Sequence, residues 1–363
     1  MKIYYLIFHN FNETHILINK LKYFGVYFTP LLALISFNSS GILAYSGIIV
    51  LYLFIPILEN IIPKDSYNLN ASEKELAKKD RFYDIVLYLL VPMHLYVIYI
   101  FLYTISNPNI LFPDLIAYVL MMGTVLGVNC INGVHELGHK TGEHFKLFMA
   151  HVLLTTSIQN HFMTYHNSWH HRDVATPNDL TSAKQGDIFY LFALKSQIGG
   201  YFKTWKLEAE KARKTGKSTF LNPMILHTII PWTFLAFIFI LFGLQVALLY
   251  FAAAVFVISI LEAQNYFSNY GLRRKQRENG TYENVKAIHS WNSDHLLGRI
   301  LLFELTRHSD HHYMGAKPYQ ILESKEESPM LPYGYPAMLI LSYFPFLFIP
   351  IMRKALKKQG FVS

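Results

Sequence analysis

The sequence predicts an all-α integral membrane protein, a bundle of six spans with a helical, histidine-rich cytoplasmic region. Three observations carry that prediction. Hydrophobic residues make up 52% of the 363 residues and charged residues only 15%, against a charged share of about 25% in ordinary soluble domains. The apolar residues fall in stretches close to the ~20 residues needed to cross a bilayer. Between those stretches, the turns on one side carry neither Lys nor Arg.

The spans pair into three hairpins. The first pair is expected at about 24–42 and 44–62, split near Asn38-Ser39-Ser40-Gly41 and closed by Pro63-Lys64-Asp65. The second is expected at about 84–105 and 111–133, broken by Ser106-Asn107-Pro108-Asn109, and the third at about 223–242 and 245–267, turning near Gly243. With the N-terminus inside, all 32 Lys and Arg lie on the inner side, which sets the cytoplasmic face by the positive-inside rule. The net charge of +8 therefore reads as a topogenic signal and not as a nucleic-acid patch.

The whole chain, 1–363, is expected to form one membrane domain, with cytoplasmic regions 134–222 and 268–363. Residues 205–218 form helix with alternating charge, a solvated surface helix. Residues 334–352 are apolar but are interrupted by Pro336, Pro345 and Pro350, which favours an interfacial or re-entrant segment over a seventh span. The opening Lys2–Phe8 run is too short for a secretory signal peptide. The single Cys130 excludes an internal disulfide and any cysteine-based cluster, and reads as a buried structural thiol.

Against one Cys stand 17 His. Eight fall in three clusters near span ends: His135 and His139; His166, His170 and His171; His308, His311 and His312. Residues four apart share one helix face, so His135/His139, His166/His170 and His308/His312 each form a two-ligand claw. Eight imidazoles exceed the four of a closed zinc site, so two metals with open positions are expected. Imidazole suits several metals. Iron with dioxygen attacks an unactivated C–H bond, and a membrane site admits an apolar substrate on one side and electrons on the other.

Ligating rings usually need a partner on their second nitrogen. The candidates are Glu136, Asp310, Asp294, Asp179, His161, His289 and His295. His144 is a further intermediate case, whereas His9, His15, His94, His151 and His227 read as isolated core or interfacial residues. Glu262, an ionisable group inside a span, and Trp169, beside the ligands, are candidates to line a substrate channel; packing against Gln264 is the plainer role for Glu262.

His135-Glu136-Leu137-Gly138-His139 also matches the zinc-protease pattern, with Glu136 as general base, but that reading leaves five clustered histidines without a purpose. A zinc membrane hydrolase or a metal-binding receptor is the remote alternative, and would take up no oxygen.

The motifs resemble the membrane-bound alkane 1-monooxygenases, within the membrane fatty-acid desaturase and hydroxylase superfamily. The likeness lies in His135-Glu136-Leu137-Gly138-His139-Lys140, in His166-Asn167 with His170-His171-Arg172-Asp173, and in His289-Ser290-Trp291-Asn292-Ser293-Asp294-His295 followed by Arg307-His308-Ser309-Asp310-His311-His312. Tyr319-Gln320 and Leu331-Pro332-Tyr333-Gly334-Tyr335 extend it, so that it covers roughly residues 25–340.

The resemblance implies a six-helix bundle in a bacterial cytoplasmic membrane and two iron ions held by His. It implies dioxygen as cosubstrate, electrons from a rubredoxin-type carrier and its reductase, and hydroxylation of an alkane or alkyl chain to a primary alcohol. A lipid desaturase or an aromatic-methyl hydroxylase of the same superfamily is the nearest alternative. The family's Asn-Tyr-x-Glu-His-Tyr-Gly-Leu box reads Asn265-Tyr266-Phe267-Ser268-Asn269-Tyr270-Gly271-Leu272 here, which leaves Asn269 as a weak or water-mediated ligand. Tyr165 and Trp169 replace the family's Glu and Gly.

Overall fold

Long apolar runs without internal caps give long helices, and a computed structural model, which describes residues 19–139 and 142–361, is built of them. His9, His15, the Lys2–Phe8 run and Lys140 lie outside the described residues. Among those residues there are helices and two isolated bridges but no strand.

Residues Lys22–Tyr27 form a 3-10 turn that leads into α1 (Phe28–Phe37). Pro30 has no N–H to return to the preceding turn, so regular α-helix is confined to ten residues. The next helices are α2 (Gly41–Ile61), α3 (Ala71–Lys79), α4 (Arg81–Ile105) and α5 (Phe112–Leu137). The α3 start is a reciprocal cap. The Glu73 N–H donates to Asn70 Oδ1 at 3.0 Å, and the Asn70 N–H donates to Glu73 Oε2 at 2.7 Å, so two otherwise orphaned donors are satisfied. Then come α6 (His144–Ser157), α7 (162–173) and α8 (Phe189–Lys214). The α9 (Met224–Phe242) and α10 (Leu244–Ser268) hairpin turns at Gly243, whose φ of 85° suits a residue without a Cβ. The chain ends in α11 (Leu296–Leu301), α12 (His308–Tyr313), α13 (Tyr335–Ser342) and α14 (Pro345–Lys358).

Five of these helices, α2, α4, α5, α9 and α10, are long and apolar enough to cross a membrane. Their bounds lie within a few residues of the sequence expectation. The stretch expected at 24–42 differs: it is a 3-10 run plus the short α1, and it ends at Asn38. The apolar 334–352 segment is split between α13 and α14 at Tyr343-Phe344, just before Pro345, where a following proline disfavours helix. The charged 205–218 stretch is the second half of the longer α8, which starts at Phe189.

Lipid-facing surface is plain on α9, where Ile229, Trp232, Phe237 and Ile240 are exposed. The core lies where α1, α4, α5 and α10 meet, around Phe101, Met121, Met122 and Tyr250. Gly123 lets α5 and α10 close together; a Cβ there would come within 2.8 Å of the Ala253 carbonyl. Two polar groups read as structural behave so. The Cys130 thiol is buried and donates to the Leu153 carbonyl, and His94 Nε2 pairs with Thr156 Oγ1 at 2.9 Å.

Candidate metal centre

Two local departures from α-helix shape the site. Residues Leu126–Ile131 of α5 and His166–His170 of α7 are π-helical turns, which close i→i+5 and turn the following side chains. The first precedes the α-turn Asn132–Leu137 that carries His135. The second brings His166 and His171, five apart, to 3.1 Å between their Nε2 atoms.

The eight clustered histidines converge in two groups. One ligand atom each from His135, His139, His166, His171 and His311 lie within 4.8 Å of one another, and His170, His308 and His312 do the same. The pairing expected for His166 with His170 is therefore corrected: the π-turn gives His166 to His171 and swings His170 into the other group. His135/His139 and His308/His312 stay paired as the i, i+4 spacing expects.

The ring orientations matter as much as the distances. His171 Nε2 faces both His166 Nε2 at 3.1 Å and His311 Nε2 at 3.0 Å. His312 Nε2 faces His308 Nε2 at 2.9 Å and His170 Nε2 at 3.2 Å. One ring nitrogen has either one proton or one lone pair, so it cannot properly satisfy two such neighbours. A cation between converging lone pairs does.

Burial holds five of these rings in the ligating, neutral form. It pushes His166, His171, His311 and His312 well below the ordinary imidazole range, with neighbouring imidazoles adding to the effect, and brings His308 to about 3. The donor set is thus eight imidazole nitrogens, which suits a pair of transition-metal ions and exceeds one zinc.

Of the residues expected to hold ligating rings from behind, Asp179 does so. Its Oδ2 lies 2.9 Å from His170 Nδ1, which leaves Nε2 to face the other two rings. The carboxylate also accepts from Ser182 Oγ at 2.6 Å, Thr181 Oγ1 at 2.7 Å and the Tyr165 hydroxyl at 3.2 Å. Burial pushes Asp179 up, but the His170 ring and the Ser182 and Thr181 hydroxyls outweigh it and bring it down to about 2. Tyr165 was noted only as a departure from the family's Glu; Thr181 and Ser182 are supports that the sequence pattern did not single out. Their signal was the Asp-x-Thr-Ser run, in which Thr and Ser side chains fold back on a preceding Asp.

The other candidates are placed elsewhere. Glu136 lines a cleft with Asp84, Lys146 and Tyr319. Asp310 Oδ2 accepts from Lys317 Nζ at 2.6 Å and from the Glu323 N–H at 2.8 Å, and so pins α12 to the following loop. Asp294 accepts from Ser324 Oγ at 2.6 Å. His289 Nδ1 accepts from the Lys286 N–H and His295 Nδ1 pairs with Ser293 Oγ. His144 is exposed, and His151 and His227 stack on each other.

His161 packs against Tyr201, and with Glu262 it borders a small cavity of about 30 Å³ that also touches His166 and His170. Trp169 lies under the Arg172 guanidinium, 4.4 Å from the ring centre. Asn269 is buried, and its Nδ2 donates to Ser290 Oγ and the His289 carbonyl, while its Oδ1 has no protein partner.

Replacing Asp179 with Asn is expected to weaken metal binding by about 10–100-fold, the usual effect of losing the group behind a ligating imidazole. Glu136→Gln, which alters the cleft shared with Asp84 and Lys146, is expected to leave it within about threefold. Cobalt(II) titrations of the two purified variants decide this, and equal affinities would remove Asp179 from the role.

Comparisons with known proteins identify the family. The family model described as Fatty acid desaturase matches residues 113–342. Alkane 1-monooxygenase 1 of Alcanivorax borkumensis is 34% identical over 89% of this chain and 81% of its own length. The alkane 1-monooxygenase of Pseudomonas putida is 32% identical over 92% and 85%. The xylene/toluene monooxygenase hydroxylase component XylM of Pseudomonas putida is 24% identical over 93% and 89%. On the family match and the relatives above 30% identity, the chain belongs to the fatty acid desaturase family, among its alkane 1-monooxygenases.

Proposed function

We propose that this chain is a di-iron monooxygenase that uses dioxygen to hydroxylate an alkane or alkyl chain to a primary alcohol. The observation that carries the reading is the convergence of eight imidazoles in groups of five and three at one end of an apolar bundle. His135, His139, His166, His171 and His311 would hold one iron, and His170, His308 and His312 the other. Bound iron would supply dioxygen reduction and attack on an unactivated C–H bond. The chain's own share is placement. Asp179 keeps a proton on His170 Nδ1, and the burial of the rings keeps imidazolium charge from competing with metal.

The stretch Lys22–Phe37 makes the sixth crossing in this reading: six 3-10 and ten α residues span roughly 27 Å. An even number of crossings puts the arm before α1, the 63–83 loop and the metal centre on one side. The distribution of Lys and Arg makes that side cytoplasmic, in a bacterial inner membrane. A rubredoxin-type carrier and its reductase would deliver electrons there. The likeness to XylM supports a second reading, hydroxylation of an aromatic methyl group.

The test supplies labelled octane, toluene and a fatty acid to iron-loaded protein with a rubredoxin and its reductase, and identifies the products. 1-Octanol is the expected main product and benzyl alcohol the outcome for the second reading; an alkene would point to desaturation. Oxygen uptake without any organic product would sink the reading.

A further inference from the structure

The first four turns of α8 are inverted relative to a helix in water. Such a helix turns its apolar stripe inward. In α8 the buried side carries Ser196, Gly200 and Thr204 besides Phe189 and Phe192, whereas Leu191, Leu194, Ile198 and Phe202 are 54–68% exposed. Their spacing of three or four residues sets them on one side of the helix. Beyond Phe202 the exposed surface turns basic. Lys206, Arg213, Lys214 and Lys217 are exposed, while Glu210 is half-buried and the buried Glu208 pairs with Lys211 at 3.8 Å.

The helix lies across the metal-centre ends of two spans. The Phe189 ring meets Tyr266, two residues before the end of α10, at 5.7 Å. Twelve residues on, roughly 18 Å along the axis, the Tyr201 hydroxyl pairs with Thr228 Oγ1 at 2.6 Å, four residues into α9. The exposed apolar surface of α9 opens at Leu226, two residues from that hydrogen bond, so apolar surface continues from one helix to the other. Helix α14 starts from the same point as α8: the Tyr190 hydroxyl donates to the Tyr343 carbonyl at 2.8 Å, and Phe189 meets the Tyr343 ring edge-on. It repeats the pattern, with Phe346 and Leu347 exposed at its start and Arg353, Lys354, Lys357 and Lys358 exposed at its end.

We propose that α8 lies in the boundary between headgroups and acyl chains of the bilayer, and that its basic half binds anionic phospholipid headgroups. An outward apolar stripe on a helix that lies across span ends is covered by lipid, as in other in-plane amphipathic helices. The stripe fixes the depth, and one turn later Lys206 stands at headgroup level. Lys195, exposed within the stripe, has the long stem that lets an ammonium reach the headgroups from an immersed helix. Each basic side chain near an anionic membrane surface adds attraction, and four on α8 act together. The continuity with the lipid-facing surface of α9 favours lipid over a protein partner. Neither the metal nor the reaction enters this inference.

The experiment reconstitutes the full-length protein in vesicles of equal parts phosphatidylglycerol and phosphatidylcholine, with brominated chains on one lipid or the other to quench nearby indoles. Trp205 stands one residue before Lys206, and the exposed Trp232 of α9 is the reference. Trp205→Phe and Trp232→Phe proteins give each contribution by difference. At low salt, brominated phosphatidylglycerol is expected to quench Trp205 at least about threefold better than brominated phosphatidylcholine, with no preference at Trp232. High salt should abolish the difference, and so should Lys206→Gln, Arg213→Gln and Lys214→Gln combined. Leu194→Gln with Ile198→Gln should lower quenching of Trp205 by both lipids, while unchanged quenching of Trp232 shows that the bundle is intact. Equal quenching of Trp205 by the two lipids at low salt, no quenching by either, or a preference untouched by the triple substitution would overturn the proposal. Loss of rubredoxin binding in the triple variant, with the lipid preference unchanged, would assign the basic surface to the electron carrier instead.

Discussion

Substituting His312 with Ala is expected to reduce the bound metal from about two ions per chain to about one and to lower product formation at least 100-fold. His312 belongs to the smaller group, where its Nε2 is the atom that faces both His308 at 2.9 Å and His170 at 3.2 Å. Without it, two imidazoles remain, and a site of two nitrogens with no carboxylate oxygen among its ligand atoms holds a divalent ion poorly. The five-histidine group loses no member. That asymmetry gives the prediction a control: His139→Ala leaves four rings in the larger group and is expected to cost far less metal. Metal analysis of both purified variants, with product yield measured in parallel, checks it. A His312→Ala protein that keeps two metals and full turnover would break the assignment of the smaller group.

The spans were legible because hydropathy is a local property: a run of apolar residues has few places to go except into lipid. The histidines were legible because eight of them in three short motifs have no structural use. What the sequence concealed was how they sort. An i, i+4 claw assumes α-helix, and nothing in His166-Asn167-Ser168-Trp169-His170-His171 announces a π-turn that regroups it. Nearness in sequence did not reveal what each carboxylate faces. Glu136 follows His135 by one residue, which on a helix is about 100° round the axis, so it turns to a different cleft. Asp310, two residues from His308, is likewise taken by Lys317. Asp179, nine residues beyond His170, reaches the ring because the chain folds back after α7.

Glu304 was not singled out at all, for it sits in no motif, and its replacement by Gln is expected to produce the largest loss of stability of any single carboxylate change outside the membrane. The side chain is 1% exposed. Its Oε2 accepts from Arg299 Nε at 2.5 Å and lies 3.6 Å from Arg307 Nε. Its Oε1 accepts from Arg299 Nη2 at 3.0 Å and from the Tyr23 hydroxyl at 2.9 Å, with Lys22 Nζ also at 3.0 Å. Burial alone would raise this carboxyl, but Arg299, Lys22 and Arg307 together hold it well below the usual carboxylate range. One carboxylate therefore ties together three elements: the turn before α1, α11, and the Arg307 that leads directly into His308. Removing its charge leaves two nearly buried guanidinium groups and an ammonium, with Asp65 on Arg299 at 2.6 Å and the more remote charge of Asp294 acting on Arg307. Breaking a buried ion pair from one side typically costs about 3–5 kcal/mol. Thermal inactivation of Glu304→Gln in detergent should therefore begin well below that of the parent, and metal should be lost from the His308–His312 side in the same transition, because Arg307 anchors α12 through the Leu322 and Tyr67 carbonyls. Unfolding at the parent temperature would show that the cluster contributes specificity of folding but little net stability. Metal release well before unfolding would show that α12 is positioned by Glu304 independently of the rest of the bundle.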